Sequence, residues 1–392
     1  VTLVLTGALV GFAAVSVSVP GVEQFRVNFG QLSLEPALAS LVAAAVVVEL
    51  GALALPVGRP LRHTVDGRRR LRTLALLLAL LLLVVRALTF VRVTPELVPA
   101  SQFAVILTRC VGLPLVLGLH AANRRWGLGH GISLAFLALL IRPLAVDTLA
   151  AEDPTQALII LLVMVVGAGV WLAHPARASA LGRTSLSSDG AHPQDLGLGL
   201  AVPSGGVVAV ELVGLAPLLV GLTIPTNTTL ELALVLALTA ALAFAFTRPT
   251  LLVERWRRAF PRADPAALVR DAQALFRRAL LRTELLMLAV VLLGQAQLPA
   301  LTAVLLAAIA LDLGHELRLR LREPDLVAIS THLDVPGAQA LALALALQTK
   351  PVALQGQHHR SLYHLFGWWL PTSLLVRRTD LDTVKQLRAD LL

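Results

Sequence analysis

The chain has 392 residues, of which 57% are hydrophobic and only 15% charged, and its mean hydropathy is +0.79. Soluble domains carry about a quarter charged residues, so this composition reads as a membrane protein and excludes collagenous, disordered and disulfide-scaffold classes. The net charge of +9 is almost all arginine, because Lys350 and Lys385 are the only lysines. It reads as arginine held in cytoplasmic loops and against anionic membrane lipids, not as a nucleic-acid surface. A single cysteine, Cys110, leaves no internal disulfide or cysteine-based metal cluster. Val1 already lies inside an apolar run, and no separate cleavable signal peptide is read.

A spanning helix needs about 20 largely apolar residues. Ten segments fit: 1–19, 34–55, 73–91, 102–121, 131–149, 156–173, 201–222, 230–247, 283–297 and 299–314. The last two are separated only by the link at Gln295–Pro299. Arginines orient the set. Loop 56–72 holds Arg59, Arg62, Arg68, Arg69, Arg70 and Arg72, and loop 248–282 runs from Arg248 to Arg282 with many more between. Loops 122–130 and 174–200 are also basic, whereas 20–33, 92–101, 150–155 and 223–229 are poor in positive charge. That bias puts both termini in the cytoplasm.

After Arg322 the composition turns polar. Residues 324–392 read as a small cytoplasmic α+β domain, ferredoxin-like or similar: strand Leu326–Thr331, helix Pro336–Gln348, strand Pro351–Gln355, strand Ser373–Arg377 and helix Leu381–Leu391. The run Leu341–Leu347 alternates like a strand, but Ala and Leu favour helix. His358, His359 and His364, with Asp380 and Asp382 downstream, read as a solvated loop and not as a metal site, because adjacent histidines rarely converge on one ion. His315-Glu316 lacks the second histidine of a metalloprotease helix, and Ser204-Gly205-Gly206 has no histidine partner for serine chemistry. The chain reads as no enzyme. Trp368-Trp369 fits either the tail's core or the membrane interface.

Several runs, in order along residues 1–316, resemble the SecY family, the channel subunit of the protein translocase. Val19-Pro20-Gly21 follows the first span. Ser33–Ser40 opens the second and resembles the family's Gly-Ile-Met-Pro-Tyr-Ile-Ser-Ala-Ser. Asp66-Gly67-Arg68-Arg69-Arg70 precedes the third. Asn123–Leu134, ending Gly131-Ile132-Ser133-Leu134, resembles Glu-Arg-Gly-Ile-Gly-Asn-Gly-Ile-Ser-Leu and is the most specific piece. Ser204–Val208 sits at span seven, and Leu305–Leu313, with Asp312, resembles span ten. The tail resembles small signal-transducing-type α+β domains at the level of pattern.

The resemblance implies ten helices in two pseudo-symmetric five-helix halves over residues 1–322, with residues 324–392 as a separate domain. It implies a protein-conducting channel or insertase in the cytoplasmic (inner) membrane, with polypeptide as substrate and no cofactor. A SecE-like or SecG-like small membrane subunit is the implied partner. The pore of the family closes on an aliphatic ring, and the matching positions are Leu34, Leu38, Leu140, Val208 and Leu305. All are aliphatic, as any residue inside a membrane helix tends to be. Departures are as informative. Only about a dozen residues separate Gly21 from Leu34, where the family has a plug helix, and Asp264 takes the place of a functional arginine. Docking of a motor ATPase or ribosome is thereby in doubt. These departures favour the alternative of a non-conducting regulator or scaffold that works through its tail.

Glu35 and Glu211 fall on the two helices that would form the lateral gate, where the family is apolar. A charge at mid-membrane costs about 2.5–3.5 kcal/mol, so such groups face a cavity or a partner. They read as a hydrated acidic gate, or as partners of Arg86 and Arg142.

Overall fold

The computed structural model describes residues 16–19, 22–28, 30–55, 61, 65–93, 99–126, 131–149, 151, 153–174, 176–177, 199–200, 228–247, 249–259, 264–322, 325–332, 338–339, 342, 345, 352–356, 358 and 372–391. Two compact units divide the chain, Val1–Pro154 and Thr155–Leu392.

The first unit opens with an antiparallel hairpin of β1 (Ser16–Val19) and β2 (Val22–Asn28), in which Val19 pairs with Val22. This corrects the expected first span at its end, since residues 16–19 are strand. Strand β1 alternates Ser with Val and β2 alternates from Gln24 to Asn28, and the dipeptide Pro20-Gly21 stands between them in the sequence. A π-helical turn, Gly30–Leu34, leads into α1 (Glu35–Ala54), which has Pro36 in its first turn. Then come α2 (Val65–Val93), α3 (Pro99–Trp126) and α4 (Gly131–Leu149). Pro114 lies inside α3, a placement that membrane helices tolerate when neighbours satisfy the freed carbonyl.

Two glycines set the packing of this unit. A Cβ on Gly112 of α3 would lie 2.1 Å from the Ser33 carbonyl oxygen, so only glycine lets the π-turn press onto α3. A Cβ on Gly131 would lie 2.3 Å from His120 Cα. Gly131 belongs to the Asn123–Leu134 run, whose Asn123, Ile132 and Ser133 are all buried. The end of α3 and the start of α4 are therefore tightly packed on one another.

The second unit contains α5 (Pro154–Ala173), the short pair β3 (Ala176–Arg177) and β4 (Gly199–Leu200), and α6 (Thr228–Thr247). Then follow α7 (Pro249–Ala259), α8 (Pro265–Gln295) and α9 (Ala300–Arg322). The expected basic loop 248–282 is thus largely helical, and the expected span 283–297 is the second half of α8. A buried stripe through Leu268, Ala272, Leu275, Ala279, Leu286 and Val290 gives the helical period. The α8–α9 turn is a Schellman motif: Leu298 N–H donates to Leu293 O and Gln297 N–H to Gly294 O, each at 2.9 Å, with Gln297 left-handed at φ 59°.

The tail forms a three-stranded antiparallel sheet in the order β5 (Leu326–His332), β7 (Thr372–Arg377), β6 (Val352–Gln355). Helix α10 (Leu381–Leu391) follows, and its Val384 packs with Leu345, Leu374 and Val376. Ala338, Gln339, Ala342 and Leu345 are helical, and the rest of the alternating Ala/Leu run lies outside the described residues.

Among the described residues, five helical stretches are long and apolar enough to cross a membrane: Leu32–Ala52, Asp66–Arg92, Gln102–Asn123, Pro154–Ala173 and Ala300–Arg322. Gly131–Leu140 and Thr229–Ala245 are shorter apolar helices. Residues 1–15 and 201–222, where further spans are expected, lie outside the described residues. The structure is that of a mostly helical membrane protein with small sheets.

Candidate functional site

In the first unit, Leu32 and Val105 form a small buried cluster with Phe90 and Val91 packed on it, joining the π-turn before α1, the end of α2 and the second turn of α3. Glu35 is three residues on from Leu32, Arg86 is four before Phe90, and Arg109 is four after Val105. All three therefore sit one helical turn along from the apolar cluster, in the same direction.

The charges feel one another. Glu35 interacts electrostatically with both arginines, and the arginines repel each other. The Arg109 guanidinium lies 3.9 Å from the Phe90 ring centroid, a close cation–π stack, while its Nε is buried with no hydrogen-bond partner. Gly112, one turn beyond Arg109, makes the approach of the 30–34 turn geometrically feasible. The expected pairing of Glu35 with Arg86 thus has an electrostatic basis. Arg109 is the third member that the sequence reading missed, although an arginine inside an apolar span was its visible signal. The Arg142 side chain and Glu211 lie outside the described residues.

Of the expected ring positions, Leu34 and Leu38 are fully buried in the first unit, Leu140 is half-buried on α4, and Leu305 is buried on α9 in the second unit. Val208 lies outside the described residues. Arg68, Arg69 and Arg70 occupy the first turns of α2, with Arg69 and Arg70 exposed. Asp264 caps α8: its carboxylate accepts from Ala266 N–H at 3.1 Å and Ala267 N–H at 3.2 Å. That is a reason for an aspartate which has nothing to do with docking. Between Gly21 and Leu34, the described residues form β2 and the π-turn.

The end of β6 and a residue just past it meet α9 at His315 and Asp312. His358 N–H donates to Asp312 Oδ1 at 2.9 Å, and burial pushes the His358 imidazole down to about 4. The expectation of a solvated loop is corrected for His358, whereas His359 and His364 lie outside the described residues. Gly356, buried and left-handed at φ 74°, turns the chain out of β6 toward this contact. Glu316, one turn beyond Asp312, is buried and pairs with Arg320 at 2.8 Å. Trp368 and Trp369 lie outside the described residues.

No protein-family model matches the chain, and no curated protein matches it in sequence. Among solved structures it is similar to one of the SecY protein, reported with the finding that SecY's plug domain stabilises the closed state of the translocation channel and maintains a membrane seal. The TM-score is 0.52 at 15% identity, over 80% of this chain and 90% of that one. At that identity the likeness is one of fold.

Proposed function

We propose that this protein is a divergent translocon-type membrane channel or insertase, which passes or inserts polypeptide and performs no covalent chemistry. The observation that carries this reading is the SecY-like fold over 80% of the chain. In this reading Leu34, Leu38, Leu140, Val208 and Leu305 form the aliphatic constriction, which resists ions by dewetting yet yields to an extended peptide. Glu35, Arg86 and Arg109 form a polar layer beside it, where a hydrophilic substrate segment meets charge in place of lipid. A small SecE-like or SecG-like membrane subunit is the expected partner, the membrane is the cytoplasmic one, and both termini are cytoplasmic.

A second reading rests on a different observation. The segment between Gly21 and Leu34 leaves little room for a plug, and the tail is tied to α9 at Asp312. A regulator or scaffold that does not conduct, with the tail as its interaction module, would keep both features.

Gentle affinity purification from native membranes separates the two. A co-purifying single-span subunit or trapped nascent chains supports the channel. A soluble partner held through residues 324–392, with no small helix bound, overturns it in favour of the scaffold.

A further inference from the structure

The second unit contains a recess of about 260 Å³ between α5, α8 and α9. Its walls are almost wholly apolar and include Met164, Gly167, Trp171, Leu286, Val290 and Val304. A Cβ on Gly167 would meet nothing within 4 Å, so the space is open at that wall. The lining on α8 extends from Leu285 to Leu293, about 12 Å along the helix.

One end of the recess is polar. Arg282 lies one turn before Leu285 on α8. Its Nη2 donates to the Trp171 carbonyl at 2.9 Å, and its guanidinium stacks on the Trp171 ring, 4.8 Å from the centroid. The arginine is thus held at the mouth. Two donors remain there, Arg282 Nε and Trp171 Nε1, both buried and both without a hydrogen-bond partner. Buried donors without acceptors are costly, about 1–3 kcal/mol each, and rare in native folds. Arg278, exposed one turn before Arg282 on the same face, adds positive charge that Asp271 partly offsets.

We infer that this recess is a phospholipid site: one acyl chain lies in the apolar slot, and the phosphodiester accepts from Arg282 and Trp171 at its mouth. The occupant combines a chain that fits apolar walls with oxygens that satisfy two orphaned donors. The fixed guanidinium of Arg282 at the mouth selects a lipid with a net negative headgroup over a zwitterionic one. The site is separate from the charged layer of the first unit and does not depend on transport.

Trp171 lines the slot, so its fluorescence reports occupancy. The full chain is reconstituted in phosphatidylcholine vesicles containing, at matched mole fractions, either phosphatidylglycerol or phosphatidylcholine brominated on the acyl chain. The spectrum of Trp171→Phe is subtracted to remove the other tryptophans. Brominated phosphatidylglycerol should quench Trp171 more strongly than the brominated zwitterionic lipid. Arg282→Gln should weaken the apparent affinity for the anionic lipid about tenfold and abolish the preference. Gly167→Leu, which fills the slot and leaves the mouth intact, should remove the quenching by both. Equal quenching by the two lipids in the wild type overturns the inference, as does a preference that survives Arg282→Gln. Absence of quenching by either lipid overturns it too, and points to a protein helix in the slot.

Discussion

The backbone N–H of His358 donates to the Oδ1 of Asp312 across 2.9 Å, so a residue just past strand β6 is tied to the last apolar helix. Residues 312 and 358 are far apart in sequence, and the bond joins the contact between His315 and the Leu354 backbone in holding β6 to α9. Replacing Asp312 with Leu removes the acceptor, whereas Asn keeps an acceptor oxygen. Hydrogen exchange at the His358 amide should quicken about tenfold in Asp312→Leu and change little in Asp312→Asn.

The His358 imidazole gives this junction a pH dependence of known sign. Its folded value is about 4, against an ordinary 6.5, because burial disfavours the cation. Between those values the unfolded chain holds more protons than the folded one. Stability therefore falls as pH drops from about 6.5 to about 4 and levels off below, a loss of about 3 kcal/mol from this group. Unfolding of the tail followed across that window should show a slope that shrinks in His358→Gln. A slope that is unchanged in the variant refutes the assignment.

Gly112 predicts a steric test. Alanine there must push the Ser33 carbonyl away from 2.1 Å, which the close helix approach does not permit without backbone movement. Gly112→Ala should cost about 1–3 kcal/mol, seen as a lower unfolding temperature in detergent. Gly118→Ala, on the same helix with nothing within 4 Å of its would-be Cβ, serves as the control and should be neutral or slightly stabilising.

Gln297 pays for its left-handed backbone in a position where glycine is the usual choice. Gln297→Gly should stabilise the α8–α9 turn by up to about 1 kcal/mol, and Gln297→Val should destabilise it by more than that. The two unfolding temperatures, moving in opposite directions, check the assignment.

Asp264 tests capping against docking. Asp264→Asn keeps a capping oxygen and should be nearly neutral, while Asp264→Ala should cost about 1 kcal/mol, with faster amide exchange confined to the first turn of α8. If both variants leave exchange in that turn unaltered, the capping role is wrong.

Much of this was visible in the residues. The strands of the tail fall within a residue or two of the alternation that predicted them, because Leu374 and Val376 must share a buried face with Leu345 and Val384. The apolar runs of α3, α5 and α9 are long enough to declare themselves. The helix through Arg270, Arg277 and Arg278 was obscured by its charge: exposed arginines on one face hid the Leu268–Ala272–Leu275–Ala279 stripe on the other. Strand β1 was absorbed into an apolar segment because Val serves both strands and membrane helices, and β2 fell in a segment read as a loop. The polar layer was half legible. Glu35 and Arg86 stood out as charges in spans, but Arg109 becomes its neighbour only because Gly112 lets two chain segments approach, and a glycine in a helix carries no label saying what it approaches.

Helix α8 is a single rod of 31 residues, about 46 Å long, with no proline or glycine between Ala266 and Leu293. The hydrocarbon layer is only about 30 Å deep, so the rod exceeds what a bilayer can hide. Its arginine-studded portion and its apolar portion have no joint between them. Tension or twist applied near Asp264 would be transmitted mechanically to the turn at Gln297, and with it to the head of α9, as along the shaft of a lever.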